Sequence, residues 1–426
     1  MVVLFVKRLV TGLALLGLLG LLGAPASASS SSSKVFITLK NGRVYEVKDR
    51  ISDGSFGIVY GATARGSSEP VVIKFFRTRA HYDLEAAARF GRAYQSQAKN
   101  HLVKILDRGV VENVKGDIPA ELVELTSVVV MERVTGDLFD LFDRTEVATN
   151  TGEILEIETE NFVKRVEFVR TLVFQLMNLW AGLASSKLIH GDIKPENLGY
   201  LDAPFVVKLI DLGTMRIGPL SSRSGVRLST TSGYEAPEVS SFLKKQLAPG
   251  EFLSSYADLY SIGATLLDLL CAQCSPEEIA KALSAWSEKL NQSNIDSETK
   301  LLTLARSNLI LEFLKAASEN KPKDRYLKLQ EGTLGKVFSF QAGKTLMQGY
   351  QAMRVRVKVD TPESLDKLYV AAGEAKLSDE AISPNIKKDL AAELLDPAKT
   401  EPESDRGLIR RFIGKCGDIL RAVLRK

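Results

Sequence analysis

The chain has 426 residues, enough for more than one compact unit, with the 45% hydrophobic and 25% charged content of an ordinary globular protein. A net charge of +4 over that length argues against nucleic acid as a general partner. Three cysteines and three histidines argue against a disulfide framework and against histidine-based metal catalysis. Cys271-Ala-Gln-Cys274 closes an apolar helical run with no second pair at zinc spacing, and reads as helix-end packing.

At the amino terminus Lys7 and Arg8 precede an apolar run from Leu9 to Gly23, then Ala24-Pro25-Ala26-Ser27-Ala28 and serines 29 to 33. A basic start, an apolar run and an Ala-x-Ala site describe a signal peptide over 1–28, removed after Ala28, with 29–34 as a Ser-rich linker. The run is shorter than the ~20 residues a spanning helix needs, although an uncleaved anchor is the competing reading. Either way the remainder is expected across the membrane, secreted or lumenal. Val35–Lys40 and Arg43–Lys48 flank Asn41-Gly42, a hairpin signal. Ile51-Ser52-Asp53-Gly54-Ser55-Phe56-Gly57-Ile58-Val59 follows, where glycines let backbone N–H groups close over phosphates. Val71-Val72-Ile73-Lys74 is an apolar strand ending in lysine. The helix-prone stretch Tyr82–Phe90 offers two acids, Asp83 and Glu85. Leu102–Leu106 and Ser127–Val134 read as strands.

Gly136–Phe142 begins a short helix, and the acidic, Thr-rich stretch from Thr145 to Glu160 reads as an exposed insertion. Phe162 to Ser186 has helical spacing, with Phe168, Leu172, Gln175, Leu176 and Leu179 on one core face. Then comes His190-Gly191-Asp192-Ile193-Lys194-Pro195-Glu196-Asn197, with Asp211-Leu212-Gly213 behind the apolar run Phe205–Ile210. Asp192 can position a hydroxyl and accept its proton, while Asn197 and Asp211 supply hard oxygens to Mg²⁺. Lys194 can neutralise charge on a phosphoryl group in transfer. Residues 221–238 are rich in serine and threonine and end in Ala236-Pro237-Glu238. Residues 333–405 carry no catalytic motif and read as an extension and linker. Within 406–426, apolar residues at helical spacing oppose basic ones, a basic amphipathic helix suited to an anionic membrane surface or to docking on the large lobe.

This series closely resembles the eukaryotic-type Ser/Thr protein kinase family, from about Arg43 to Arg325. The resemblance implies an α+β, two-lobed protein kinase-like fold: a small antiparallel-sheet lobe over 35–135 and a larger, mostly helical lobe over 136–332. It implies ATP and Mg²⁺ as cofactors and a protein serine or threonine as acceptor. Asp192 and Lys194 would be catalytic, and Asn197 and Asp211 would hold metal. The nucleotide would meet Ile51, Gly54, Phe56, Gly57, Val59, Val72 and Lys74, with Glu85 orienting Lys74. Met131 would be the gatekeeper, and backbone groups of Glu132 and Val134 would bond the base, so that side-chain identity there says little. Thr231 would contact Asp192, Arg325 would pair with Glu238, and Asp258 would tie down the catalytic loop. Ser52, Gly191 and Leu212 depart from the pattern, standing where the family has the first glycine of the loop, an arginine and a phenylalanine. Gly199 stands for a leucine and suggests a roomier or rearranged adenine pocket. A pseudokinase, keeping the fold as a binding module, is the alternative; such proteins typically lose the lysine or an acid, and here all are kept. Kinase-like phosphorylation of a small molecule or lipid is a third reading, for which Thr231 and Ala-Pro-Glu are unexpected. A secretion signal joined to a kinase domain resembles, in layout, the secreted effector kinases of apicomplexan parasites. Nothing in the sequence sets an oligomeric state.

Overall fold

The turn at Asn41-Gly42 starts the amino-terminal lobe. The computed structural model describes residues 34–376 apart from 55–56, 78–90, 118, 144–150, 227, 229, 249, 272–273 and 341–353. The expectations for the signal segment, Phe56, Glu85 and the 406–426 helix lie outside these residues. Strands β1 (Val35–Leu39) and β2 (Val44–Gly54) meet at Gly42, whose φ is +82° and whose N–H donates to Leu39 O at 2.8 Å. Glycine takes that left-handed conformation without a Cβ penalty.

β3 (Gly57–Ala64), β4 (Pro70–Phe76), β5 (Ile105–Lys115) and β6 (Ser127–Glu132) complete an antiparallel series in the order β1-β2-β3-β4-β6-β5. β1 also pairs with β5, Phe36 opposite Lys115, so the sheet closes into a barrel. Alternate residues point inward. Ile37, Leu39, Tyr45, Val47, Ile58, Tyr60, Val71, Ile73, Phe75, Val128 and Val130 fill the interior. The strand expected at Leu102–Leu106 begins at Ile105 and runs on to Lys115. Asp107, Arg108, Glu112 and Asn113 hid its length from a reading based on apolar runs.

In the second lobe a short β7 (Gly136–Asp137), α1 (Leu138–Asp143), α2 (Thr151–Glu156) and α3 (Thr159–Ser185) come first. The expected face of α3 packs as predicted, and the helix is buried on nearly all sides from Leu172 to Leu183, making it the axis of the core. Its Trp180 donates from Nε1 to Ser255 O at 2.8 Å. Around it lie α4 (Pro237–Leu243), α5 (Tyr256–Leu270), α6 (Pro276–Gln292), α7 (Ser297–Ala317) and α8 (Pro322–Lys328). A reciprocal Ser275–Glu278 capping box starts α6, satisfying amides the helix leaves open.

Outside the site the structure corrects one expectation and adds to two others. Residues 151–156 are not an exposed insertion: Ile154 is buried, its carbonyl accepts from Trp286 Nε1 at 2.7 Å, and Trp286 stacks on Phe162 at 4.1 Å. Apolar Ile154, Leu155 and Ile157 between acids are what draw this segment inward. Cys271 is buried at the end of α5 as expected, but it is joined to Cys274 in a disulfide, which the packing reading did not assign. The expected extension over 333–405 is described as far as residue 376, and that part packs on the large lobe. α9 (Leu334–Val337) leads into β12 (Phe338–Phe340), which pairs with β13 (Val355–Val357), and α10 (Pro362–Lys376) lies on α3 and α7. Leu365, Tyr369 and Val370 are the buried face of α10. Among the described residues no helix is long and apolar enough to cross a membrane.

Asp366 of α10 is the centre of that attachment. Its Oδ2 accepts from Arg306 Nε at 3.1 Å and Nη2 at 3.0 Å, and lies 3.3 Å from Arg170 Nη2. All three side chains are largely buried. Removing one partner of a buried ion pair leaves uncompensated charge, a cost of about 3–5 kcal/mol. Asp366→Ala should therefore destabilise the kinase-like unit by that order in chemical denaturation, and truncation after 340 should do so at least as strongly.

Candidate active site

The catalytic loop starts from a short two-stranded ribbon, β8 (Leu188–Ile189) against β11 (Arg216–Ile217). It turns at Gly191, φ +79°, a conformation in which a side chain is strained. The carboxylate of Asp258, fully buried on α5, accepts His190 N–H and Gly191 N–H at 2.8 Å each. His190 extends the network. Its Nδ1 lies 3.3 Å from Asp192 N, which can only donate, so Nδ1 accepts and Nε2–H donates to the Asp211 carbonyl. Thr214 Oγ1 lies 3.2 Å from the same Nε2. One imidazole thus joins the two acids' backbones.

Asn197 donates from Nδ2 to Asp192 O at 2.7 Å and to Asp192 Oδ2 at 3.1 Å, which turns its amide oxygen the other way. The strands β9 (Leu198–Asp202) and β10 (Phe205–Leu209) follow as a hairpin and carry Asp211. Gln175 of α3 clamps that hairpin, accepting Val207 N–H at 2.7 Å and donating to Phe205 O at 3.1 Å. Lys74, nine-tenths buried at the far end of β4, donates to Asp211 Oδ1 at 2.8 Å, where Gly213 N–H also donates at 3.1 Å. Burial alone would raise the Asp211 carboxyl, but Lys74, the Gly213 N–H and His190 together hold the group below the usual carboxylate range.

The reacting face is defined by three side chains. Thr231 donates to Asp192 Oδ1 at 2.7 Å, and Lys194 Nζ donates to Thr231 Oγ1 at 2.9 Å. A hydroxyl therefore lies between a carboxylate and an ammonium, as the resemblance implied for Thr231. Arg325 pairs with Glu238, both buried, also as implied. Leu212 is buried in the large core. Asn197 Oδ1 and the Asp211 carboxylate are hard-oxygen donors suited to a divalent ion. Among the described residues no cluster of three or more His, Cys, Asp or Glu forms an all-protein cage.

On the nucleotide side, Gly57 is required by space, since a Cβ there would lie 2.1 Å from Phe75 O. It pairs with Gly54 across the loop's stem. Val72 is buried, Val59 and Met131 are half-buried, and Ile51 stands 49% exposed at the rim. Phe56 and Glu85 fall outside the described residues, so the acidic partner that the structure shows for Lys74 is Asp211. At the hinge the Glu132 N–H donates to Lys104 O at 2.9 Å, leaving the Glu132 carbonyl as its backbone group for a base. The Glu132 side chain has a role the sequence reading discounted: Oε1 accepts Lys104 N–H at 2.7 Å and lies 3.2 Å from Lys208 Nζ, tying the hinge to β10. Gly199 does not open the pocket. A Cβ there would meet Ile210 Cγ2 at 2.7 Å and Val134 Cγ2 at 2.9 Å, so these two side chains take the space a leucine would fill. The pocket is rearranged rather than roomier.

Burial pushes the Asp258 carboxyl up to about 6, against the opposing pull of His190 and the two amides. A folded-state value above the ordinary one means that the native protein holds a proton that the unfolded chain has released. Its contribution to stability therefore falls as pH rises from about 4 to about 6. Asp258→Asn removes this titration and turns a donor toward one loop amide, costing about 1–3 kcal/mol. The stability gap between wild type and Asp258→Asn should be widest near pH 4 and narrow through pH 6, read from denaturation midpoints at stepped pH.

Comparison with known proteins accords with this geometry. The family model described as protein kinase domain matches residues 45–330. Relatives include the serine/threonine-protein kinase pkn3 of Myxococcus xanthus, 27% identical over 296 residues, covering 66% of this chain and 47% of that protein. Homeodomain-interacting protein kinase 1 of Caenorhabditis elegans is 28% identical over 241 residues, covering 54% of this chain and 24% of that protein. Cyclin-dependent kinase B1-1 of Arabidopsis thaliana is 25% identical over 235 residues, covering 54% and 69%. The chain thus spans less than half the length of the first two. Among solved structures, the ROP18 kinase domain in complex with AMP-PNP and sucrose is 17% identical, covers 82% of this chain and 88% of that one, and has a TM-score of 0.42. Family membership carries in general the use of ATP with a divalent metal and a protein as substrate. With a family model over residues 45–330, the chain belongs to the protein kinase family.

Proposed function

We propose that this chain is an active serine/threonine kinase that transfers the γ-phosphate of ATP to a protein hydroxyl with Mg²⁺ bound. The observation that carries the reading is the Asp192–Thr231–Lys194 contact, in which one hydroxyl donates to the carboxylate and accepts from the ammonium. An acceptor hydroxyl on a substrate needs the same two partners. Asp192 aligns it and takes its proton as its oxygen bonds to phosphorus and the bond to ADP breaks. Lys194 opposes the charge that develops on the phosphoryl oxygens. Lys74 grips the nucleotide phosphates. Asn197 and Asp211 would hold the divalent ion, which when bound neutralises phosphate charge. Retention of Lys74, Asp192, Asn197 and Asp211 in one hydrogen-bonded network supports an enzyme over a pseudokinase.

The basic start, apolar run and Ala-x-Ala site support a secretory route, with cleavage after Ala28 rather than retention as an anchor. Amino-terminal sequencing of the secreted form tests this. Basic residues opposite apolar ones at helical spacing in the sequence over 406–426 support contact with an anionic membrane surface, which rising salt should weaken.

The test of the reaction is transfer of labelled phosphate from ATP to a generic basic protein by purified 34–426. Asp192→Asn should lower the rate on the order of 10²–10⁴-fold while Mg·ATP binding stays within a few fold. Asp211→Asn should lose both. Near-normal turnover by Asp192→Asn would overturn the mechanism, and wild type that binds ATP without turnover would establish the pseudokinase.

A further inference from the structure

The end of the activation segment is held by a carboxylate that neither the catalytic chemistry nor the family motif uses. Glu235 accepts from Thr230 Oγ1 at 2.8 Å through one oxygen and from Ser240 Oγ at 2.6 Å through the other. Ser240 lies on α4, which is rigidly seated. Its Glu238 pairs with buried Arg325, and its Val239 and Phe242 pack with Ile189, Leu220, Ala236, Leu253 and Ala257 in a separate apolar cluster. Thr230 is the neighbour of Thr231, which bonds Asp192 and Lys194. A continuous path therefore runs from a fixed helix through Ser240, Glu235 and Thr230 to the hydroxyl beside the catalytic carboxylate. Tyr234, next to Glu235, is tied as well, donating to Asp268 Oδ2 at 2.8 Å.

We propose that Glu235 is a positioning residue for phosphotransfer, a built-in anion that docks the activation segment without any phosphate. The proposal rests on the reading of the chain as an active kinase. Segments of this kind are often ordered by phosphorylation, through new arginine–phosphate pairs. Here the charge and its partners are inverted: the anion is part of the chain and two hydroxyls grip it. Among the described residues, two cations near the catalytic loop are already engaged. Arg216 donates to the carbonyls of Gly213, Thr214 and Met215 at 2.8–3.2 Å, and Lys194 donates to Thr231. Position 191, directly before Asp192, is a glycine and offers no cation. A phosphate on Thr230 would face Glu235, where like charges repel, and would remove the donor that the carboxylate uses. Modification there should switch the enzyme down.

The experiment measures kcat and KM for ATP and for a basic protein acceptor. Hydrogen bonds to a charged group set the scale, so Glu235→Ala should lower kcat about 10- to 100-fold. KM for ATP and the melting temperature should stay near wild type. Glu235→Gln, which keeps one acceptor, should fall between the two. Thr230→Val and Ser240→Ala should each lower kcat and add little in the Glu235→Ala background, because they act through the same carboxylate. Thr230→Glu should lose activity, and phosphatase treatment should leave the wild-type rate unchanged. Wild-type kcat in Glu235→Ala, fully additive losses, activation by Thr230→Glu, or a tenfold fall after phosphatase would each overturn the proposal. Should Glu235→Ala fail to fold, Thr230→Val carries the same test through the other partner. Wild type that binds ATP but transfers nothing overturns the kinase reading itself, and this inference with it.

Discussion

A single buried carboxylate holds the site together. Asp258 is shut away from water on α5, and both its oxygens face backbone amides of the catalytic loop. Burying an ionisable group is costly, and two amide donors offset that cost only if the loop takes one shape. That shape needs the left-handed turn at Gly191. It also fixes the His190 ring, whose two nitrogens reach the backbones of Asp192 and Asp211. Asp192 and Asp211 sit in register because one histidine reads both backbones. Gln175 and Asn197 repeat the device at smaller scale, each using one amide side chain to hold two neighbouring groups.

The parts of the fold that the sequence made legible were those where chemistry demands a particular residue type. His190 to Asn197, Asp211, Lys74 and the Asn41-Gly42 turn each need one side chain or one glycine at one place. The same holds for Asp258, Thr231 and the Glu238–Arg325 pair, which followed from the family pattern and lie where it implied. What stayed hidden depends on distant partners. Ile154 looked exposed because its neighbours are acids, yet it meets Trp286 from another helix. Gly199 looked like an opening because its own side chain is missing, yet Val134 and Ile210 fill the space from two other segments. Glu132 looked interchangeable because hinge bonds use the main chain, yet its carboxylate ties two strands together.

The tail shows the same limit on a larger scale. Residues beyond the family match have no motif, and only the burial of Arg170 and Arg306 reveals why they are there. Each arginine presents charge inside a helical core, and the carboxylate that offsets both comes from α10. The Ser185 hydroxyl at the end of α3 accepts from Val355 N–H at 3.0 Å and lies 2.6 Å from Val355 O, binding β13 to the same helix. The compact unit therefore extends past the family's usual limit, and its large lobe is complete only with this addition.

Closure of the small lobe has a mechanical consequence. An open sheet can splay, slide its outer strands, or accept a strand from another chain at its edge. A barrel in which β1 pairs with both β2 and β5 lacks those freedoms. The stem of the Gly-rich loop in β2 and β3, Lys74 on β4 and the hinge strand β6 are thereby neighbours in one closed sheet. Any movement between the lobes would fall on two crossings of the chain, Glu132 to Gly136 and the step from Val103, bonded to Leu209, into β5 at Ile105. The Glu132 carboxylate touches both, through Lys104 beside one crossing and Lys208 on the large lobe's β10.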